Sequence, residues 1–361
     1  MPCLDIVEIG AGGGSIFNKD ETGALRVGPV SAGAAPGPAC YGRGGTKPTV
    51  TDAFLLCGVL NPDYFLGGDI HLNKERAYDA FASESRKLGI PVDKLAQGTV
   101  RLANSQIINA LKLVSVKRGY DPRDFTLVAY GGGGPLHASS VARQLGIPKV
   151  LVPPLPGVFS AWGMLVADLR RDFLRTRIML VDRHCGEKLQ TAFGELEELS
   201  RKAFSEEGRE EHIRIERYVD ARYRGQEHSV KVPIAQATLK NQALELLRRH
   251  FEELHQRAYE FTLADPMEIV TCHLVAYAKL PKPPIHVIPR RKGERAKPKE
   301  SRLMHLEDKS GQMQVFERGS LPPGSRLNGP VVIEEPTSTT IVNRRDRVQV
   351  DEYGSLHIEI R

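Results

Sequence analysis

Phe125-Thr126-Leu127-Val128-Ala129-Tyr130-Gly131-Gly132-Gly133-Gly134-Pro135 decides the fold class. Six aromatic, apolar and β-branched residues read as a strand, and four glycines interrupt it. Pro135 fits the first turn of a helix, where its missing N–H costs nothing. A helical pattern runs from Leu136 to Leu145 and stops at Gly146, and Lys149-Val150-Leu151-Val152 is the next strand. The connection is as long as a parallel strand pair requires, so residues 125–152 form a βαβ unit and the chain is α/β. Bare backbone amides at the start of a helix suit an anion or nucleotide, although a tight strand-to-helix turn accounts for the same glycines.

Working outward, a second glycine cluster, Ile9-Gly10-Ala11-Gly12-Gly13-Gly14-Ser15, follows the strand-like run Asp5 to Ile9. Its lead-in is too short for the crossover that precedes such a strand in an α/β sheet, and the chain reads as truncated at its front. Glycine and proline turns fill the sequence up to residue 50. Thr51 or Asp52 caps a short helix that Gly58 ends, and helices are expected over 73–88 and 93–118. Beyond Arg170, strands at 173–181 and 213–223 flank a charged amphipathic helix near 187–207, with a second helix over 237–260. Residues 267–279 and 312–360 alternate as antiparallel β structure. Two domains are expected, 1–175 and 176–361, the second holding a basic, proline-rich linker at 281–302.

The 361 residues are 41% apolar and 26% charged, with a net charge of +6. Eight basic and two acidic residues between Lys282 and Arg302 carry that whole excess, and no aromatic residue accompanies them for base stacking, so no nucleic-acid partner is expected. The sequence lacks an apolar run of membrane-spanning length and an amino-terminal signal pattern, which predicts a cytoplasmic protein without a membrane partner. Five scattered cysteines (Cys3, Cys40, Cys57, Cys185, Cys272) form neither a zinc motif nor a disulfide framework.

Asp52, in Thr-Val-Thr-Asp, is the candidate to hold Mg²⁺ or act as a base, and an N-cap accounts for it as well. His137, one turn into the helix after the tetraglycine, approaches a ligand's polar edge or sits as a satisfied structural residue. Cys40 has no evident base to activate it, and Ser160 lacks the glycine two residues earlier that a nucleophile elbow needs. His250 and His255 are five apart, so no zincin helix is present. Neither glycine loop matches a P-loop or a dinucleotide fingerprint.

Taken in order, Ile9 to Ser15, Val27-Gly28-Pro29 with Ser31-Ala32-Gly33, Pro36 to Gly45, Pro48 to Ala53, Phe65 to Gly68, Arg118 to Asp124, Tyr130 to His137, Pro153-Pro154, Arg222 to Gln226, and Gly329 to Glu335 followed by Ser338-Thr339-Thr340 resemble the hydantoinase A / 5-oxoprolinase family. That family also contains A-type subunits of acetone and acetophenone carboxylases. The resemblance implies part of an actin-like (sugar kinase/Hsp70-type) ATPase core followed by a β-rich α+β domain. It implies ATP and Mg²⁺ as cofactors, with Gly131, Gly132, Gly133, Gly134, Gly12 and Gly13 at the nucleotide and Asp52 near the metal. The implied reaction opens a cyclic amide after phosphorylation of its carbonyl oxygen. The family's two Asp-x-Gly-Gly-Thr phosphate loops do not occur here. A C-terminal half, inactive alone, is therefore expected, either a fragment or broken gene or a split subunit that works in a hetero-oligomer with an N-terminal A-type half and a B-type chain. A split ketone carboxylase and a non-catalytic interaction subunit are the alternatives.

Overall fold

The computed structural model describes residues 6–208, 213–235, 241–289, 295–306 and 309–361. Cys3, Asp5, and Arg290, Arg291, Lys292 and Glu294 of the basic stretch lie outside the described residues. The chain begins with the hairpin β1 (Ser15–Lys19) and β2 (Leu25–Ser31), followed by α1 (Val50–Leu56), α2 (Lys74–Leu88) and α3 (Val92–Val114). Then come β3 (Thr126–Val128), α4 (Gly134–Leu145), β4 (Lys149–Val152) and α5 (Phe159–Val166). The middle of the chain holds β5 (Leu169–Leu180), α6 (Cys185–Ser205), β6 (Ile213–Tyr223), β7 (Val230–Ile234), α7 (Asn241–Tyr259) and β8 (Met267–Ala278). Seven strands complete it: β9 (Glu300–Leu306), β10 (Lys309–Glu317), β11 (Arg326–Asn328), β12 (Val331–Glu335), β13 (Ser338–Val342), β14 (Arg347–Val350) and β15 (Leu356–Glu359).

Packing divides the chain into two compact units, one of residues 6–163 with Pro284–Arg361 and one of Met164–Pro283. The tail thus packs with the amino-terminal residues, and 176–361 is not one packing unit. Its β15 pairs antiparallel with β4, which pairs parallel with β3, giving the sheet order β11-β14-β15-β4-β3. The βαβ expectation holds in this sheet. A second sheet, β13-β12-β10-β9, joins it in the same unit; β10 and β12 run parallel, a departure from the all-antiparallel pattern expected over 312–360.

Every position of β12 and β13 is buried. Alternate side chains leave opposite faces of a strand. Val332 and Ile341 enter a core with Phe54, Phe81 and Ala103, whereas Val331, Ile333 and Val342 enter another with Ala138, Val150 and Ile358. Each such side chain contributes about 1.5–3 kcal/mol by leaving water. In the other unit, β5-β8-β6-β7 is antiparallel, and Leu189, Leu196 and Phe251 of α6 and α7 cover its face carrying Val219, Cys272 and Leu274.

Local sequence explains most boundaries. Leu95, Ala96, Thr99, Ala103 and Ile108 form the buried face of α3. That helix ends at Val114, short of the expected 118, where Ser115 leaves helical geometry and a 3₁₀ turn follows. Residues 6–9 have no regular structure, so the early glycine loop precedes a strand, not follows one. Gly28 explains the loop's course: at φ +69° a Cβ there would stand 2.1 Å from the Gly10 carbonyl oxygen. Residues 300–302 of the expected linker belong to β9, and Arg302 donates to Val59 O at 3.1 Å and to Glu334 at 2.8 Å.

Thr49, not Thr51 or Asp52, is the N-cap of α1, and Asp52 completes its capping box from the third helical position. The fully buried Asp52 carboxylate accepts from Thr49 N (2.9 Å), Thr49 Oγ1 (2.7 Å), Cys40 N (2.7 Å) and Ala39 N (3.2 Å). It thereby ties the Pro36–Tyr41 loop to α1. Asp52→Asn replaces an acceptor oxygen by a donor facing these donors, and is expected to lower the unfolding free energy by about 2–3 kcal/mol in denaturant titrations. Burial, with the Asp52 charge second, pushes the Cys40 thiol up, and burial pushes Cys57 up to about 12 and Cys185 and Cys272 up to about 11. Iodoacetamide at pH 8 should leave these four free thiols unmodified in the folded protein and alkylate them in denaturant.

Candidate functional site

Gly131 turns the chain from β3 toward α4. Its φ of +81° disfavours any side chain, and its N–H donates to Pro156 O at 2.7 Å. The N–H groups of Gly132 and Gly133 donate to no acceptor among the described residues, while Gly132 O accepts from Ser338 Oγ at 3.2 Å. These free donors sit at the positive end of the α4 dipole. The helix is fastened to β13 by Ser139 Oγ donating to Ile341 O at 2.8 Å and Asn343 Nδ2 donating to Ser140 Oγ at 2.9 Å.

The other glycine loop rests on the start of α1. Thr51 N and Oγ1 both donate to Gly13 O at 2.9 Å, and a Cβ on Gly13 would meet Thr51 Oγ1 at 2.7 Å. Gly12 N–H donates to Ser15 Oγ at 2.8 Å, so it is already engaged within its own loop.

Both loops open on one cavity of about 480 Å³. Gly12, Gly13 and Gly132–Gly134 line it together with Thr51, Tyr64 and His137, and Tyr41, Phe54, Phe65 and Leu136 supply apolar walls. The remaining wall is Glu334–Thr339, the end of β12, the Pro336-Thr337 turn and the start of β13. Gly157 makes this fit possible, since a Cβ there would stand 2.5 Å from Thr337 Oγ1. Asp52 and Cys40 are not among the lining residues. Three of the four donors converge on Asp52 Oδ2 and Cys40 N meets Oδ1, so the buried carboxylate braces the Pro36–Tyr41 loop against α1. Among the described residues no three His, Cys, Asp or Glu side chains group to hold a metal ion. No helix of the described residues is long and apolar enough to cross a membrane.

The lining contains no Lys or Arg; its charged residues are Glu334 and Glu335. Glu334 is paired with Arg302 at 2.8 Å and with Lys299 at 3.1 Å. Lys299 also stands 3.7 Å over the Tyr64 ring, whose hydroxyl donates to Glu317 at 2.8 Å. Glu335 meets Arg318 at 3.1 Å, and Arg318 in turn donates to Val152 O, Pro153 O and Gly354 O, each at 2.9 Å. Burial raises the Glu335 carboxyl to about 7 against the opposing pull of Arg318, and burial also lowers Arg318. Sequence reasoning gave these glutamates and the Thr337–Thr339 hydroxyls no role. Their signal was the pair of acids directly after Val331-Val332-Ile333, where a strand turns one to each face and both are buried.

Two glycine loops, one of them at the α4 N-terminus, close on an apolar-walled cavity in a mixed α/β fold. Residues 1–173 match the family pattern described as hydantoinase/oxoprolinase, and residues 181–360 match its C-terminal domain. The chain belongs to the hydantoinase/oxoprolinase family. An uncharacterised protein of Methanocaldococcus jannaschii is 39% identical over 99% of this chain and 51% of its own length. Caprolactamase subunit alpha of Pseudomonas jessenii is 35% identical over 97% of this chain and 52% of its own. The crystal structure of that ATP-dependent caprolactamase superposes with a TM-score of 0.88 at 35% identity, covering 98% of this chain and 52% of the other. A nucleotide-free structure of acetone carboxylase gives a TM-score of 0.77 at 27% identity over 98% of this chain and 52% of the other. The chain spans about half the length of these relatives.

The folded protein holds the Glu335 proton more tightly than the unfolded chain does. The stabilisation from this group is therefore complete below the ordinary glutamate pKa of 4.5 and fades as pH rises through 7. Stability measured against pH should decline between these values by on the order of 2–3 kcal/mol more in the wild type than in Glu335→Gln. Parallel profiles for the two proteins would contradict the raised pKa.

Proposed function

We propose that this chain forms the nucleoside side of an ATP site in an ATP-dependent enzyme that opens a cyclic amide. The observation that carries the reading is the meeting of the two glycine loops on one cavity at the α4 N-terminus. A lining without Lys or Arg suits a nucleoside better than a naked triphosphate, and the volume falls in the range of small-ligand sites. Similarity to an ATP-dependent caprolactamase supports the cyclic-amide class. The likeness to acetone carboxylase supports a second reading, a ketone carboxylase subunit, at lower identity and lower TM-score.

In this reading the α/β unit is part of an actin-like ATPase core. ATP, when bound, supplies the phosphoryl group that activates the substrate's carbonyl oxygen. The residues of this chain bind and orient: Gly132 and Gly133 present free N–H groups at the α4 N-terminus, and the apolar walls exclude water from the nucleoside. No residue here is assigned to Mg²⁺. Partners of the hydantoinase A-type half and B-type classes complete the phosphate and substrate contacts, and relatives that are themselves subunits support such an assembly.

Gly133 and Gly12 have nothing within 4 Å of an added Cβ and no positive φ, so valine fits the fold at both and projects into open space. Gly133→Val and Gly12→Val should each weaken ATP binding at least tenfold by calorimetry, on the chain alone or with partner chains, without lowering Tm. Trp162 provides an optical readout, since it stacks on Phe159 at 5.5 Å and Phe159 meets Tyr130, beside Gly131, at 5.6 Å. A stable complex that binds no ATP in any combination would point to a non-catalytic interaction subunit.

A further inference from the structure

His137 was open to two readings from sequence, and the structure shows what holds its ring. One ring nitrogen, Nδ1, lies 2.6 Å from Asn104 Oδ1, and the ring packs edge-on against Phe54 at 5.1 Å. These contacts fix the ring plane and place the proton on Nδ1, because Asn104 offers it an oxygen. The residue is 8% exposed and lines the cavity. Its other nitrogen, Nε2, has no hydrogen-bond partner among the described residues and is not sealed from solvent. The cavity is the open space that this residue lines.

We infer that His137 is a specificity residue of this cavity, held by Asn104 so that Nε2 accepts a hydrogen bond from a donor group of the bound nucleoside. The inference rests on the nucleotide reading of the site. Two donors carry the same chemistry, the exocyclic amine of adenine and a ribose hydroxyl. Burial alone pushes the imidazole down to about 4, with no charged neighbour contributing, so the ring stays neutral and the acceptor persists across the physiological range. A site that hydrogen-bonds a ligand donor rejects the analogue lacking it, because the acceptor is then left dry and unpaired.

The test uses the full chain, with partner chains where ATP binding requires them. Nitrogen NMR of ¹⁵N-histidine-labelled protein reports the tautomer directly: a protonated Nδ1 and bare Nε2 are expected from pH 5 to 8, with Nε2 shifting when ATP is added. His137→Phe should weaken ATP binding about tenfold, the worth of one hydrogen bond, and His137→Gln should recover part of it. Inosine triphosphate, 2′-deoxy-ATP and 3′-deoxy-ATP then locate the donor: the analogue lacking it binds more weakly to the wild type and no more weakly than ATP to His137→Phe. A protonated Nε2, or ATP binding that is blocked by Gly133→Val yet neither moves Nε2 nor responds to His137→Phe, would overturn the inference and leave the nucleotide reading standing. Failure of ATP to bind at all would overturn both.

Discussion

The burial of the β12–β13 hairpin between two cores is the constraint on which the site depends. Val332 and Ile341 belong to one core and Val331, Ile333 and Val342 to the other. A one-residue slip in register would exchange the two sets and turn Glu334 and Glu335 to the wrong faces. The hairpin is also the surface on which α4 is fastened through Ser139 and Asn343. Its turn, Pro336-Thr337, consequently lies beside the tetraglycine loop, and glycine is required at 157 to admit Thr337. The glycine loops supply backbone amides, but the hairpin decides where those amides face.

The glutamates at the end of β12 show how the same constraint sets the electrostatics. Strand alternation sends Glu334 to Lys299 and Arg302 and Glu335 to Arg318. Each acid is thus neutralised from behind the lining, and no basic side chain enters the cavity itself. The free N–H groups of Gly132 and Gly133 are left as backbone donors at the cavity, which in the proposed reading suits a ligand presenting an uncharged nucleoside to this chain and its charge elsewhere.

Much of this was legible in the sequence because it is local. The βαβ unit around Phe125–Val152 follows from a β-rich run, glycines, a proline and a helical period, and helix α2 from its apolar spacing. Both glycine loops were identified as candidate ligand contacts, and both line the cavity. What was not legible is the return of the tail. Residues 284–361 look like a continuation of the preceding β-rich sequence, and nothing local tells β15 to pair with β4 some two hundred residues earlier. The cavity wall formed by residues 334–339 was missed for that reason. Asp52 was ambiguous for a different reason: a carboxylate in a threonine loop looks alike as a cap or as a ligand until its four donors are in place.

In the proposed site two glycine loops and a hairpin from opposite ends of the chain contact one nucleotide. Hydrogen–deuterium exchange with and without ATP, on the chain with its partner chains, tests it most directly. Protection is expected to appear together in peptides covering residues 10–15, 131–137 and 334–339, and to be lost together when Gly133 is replaced by valine. Protection confined to one of the three, or ATP-dependent protection only in the unit of residues 164–283, would contradict it.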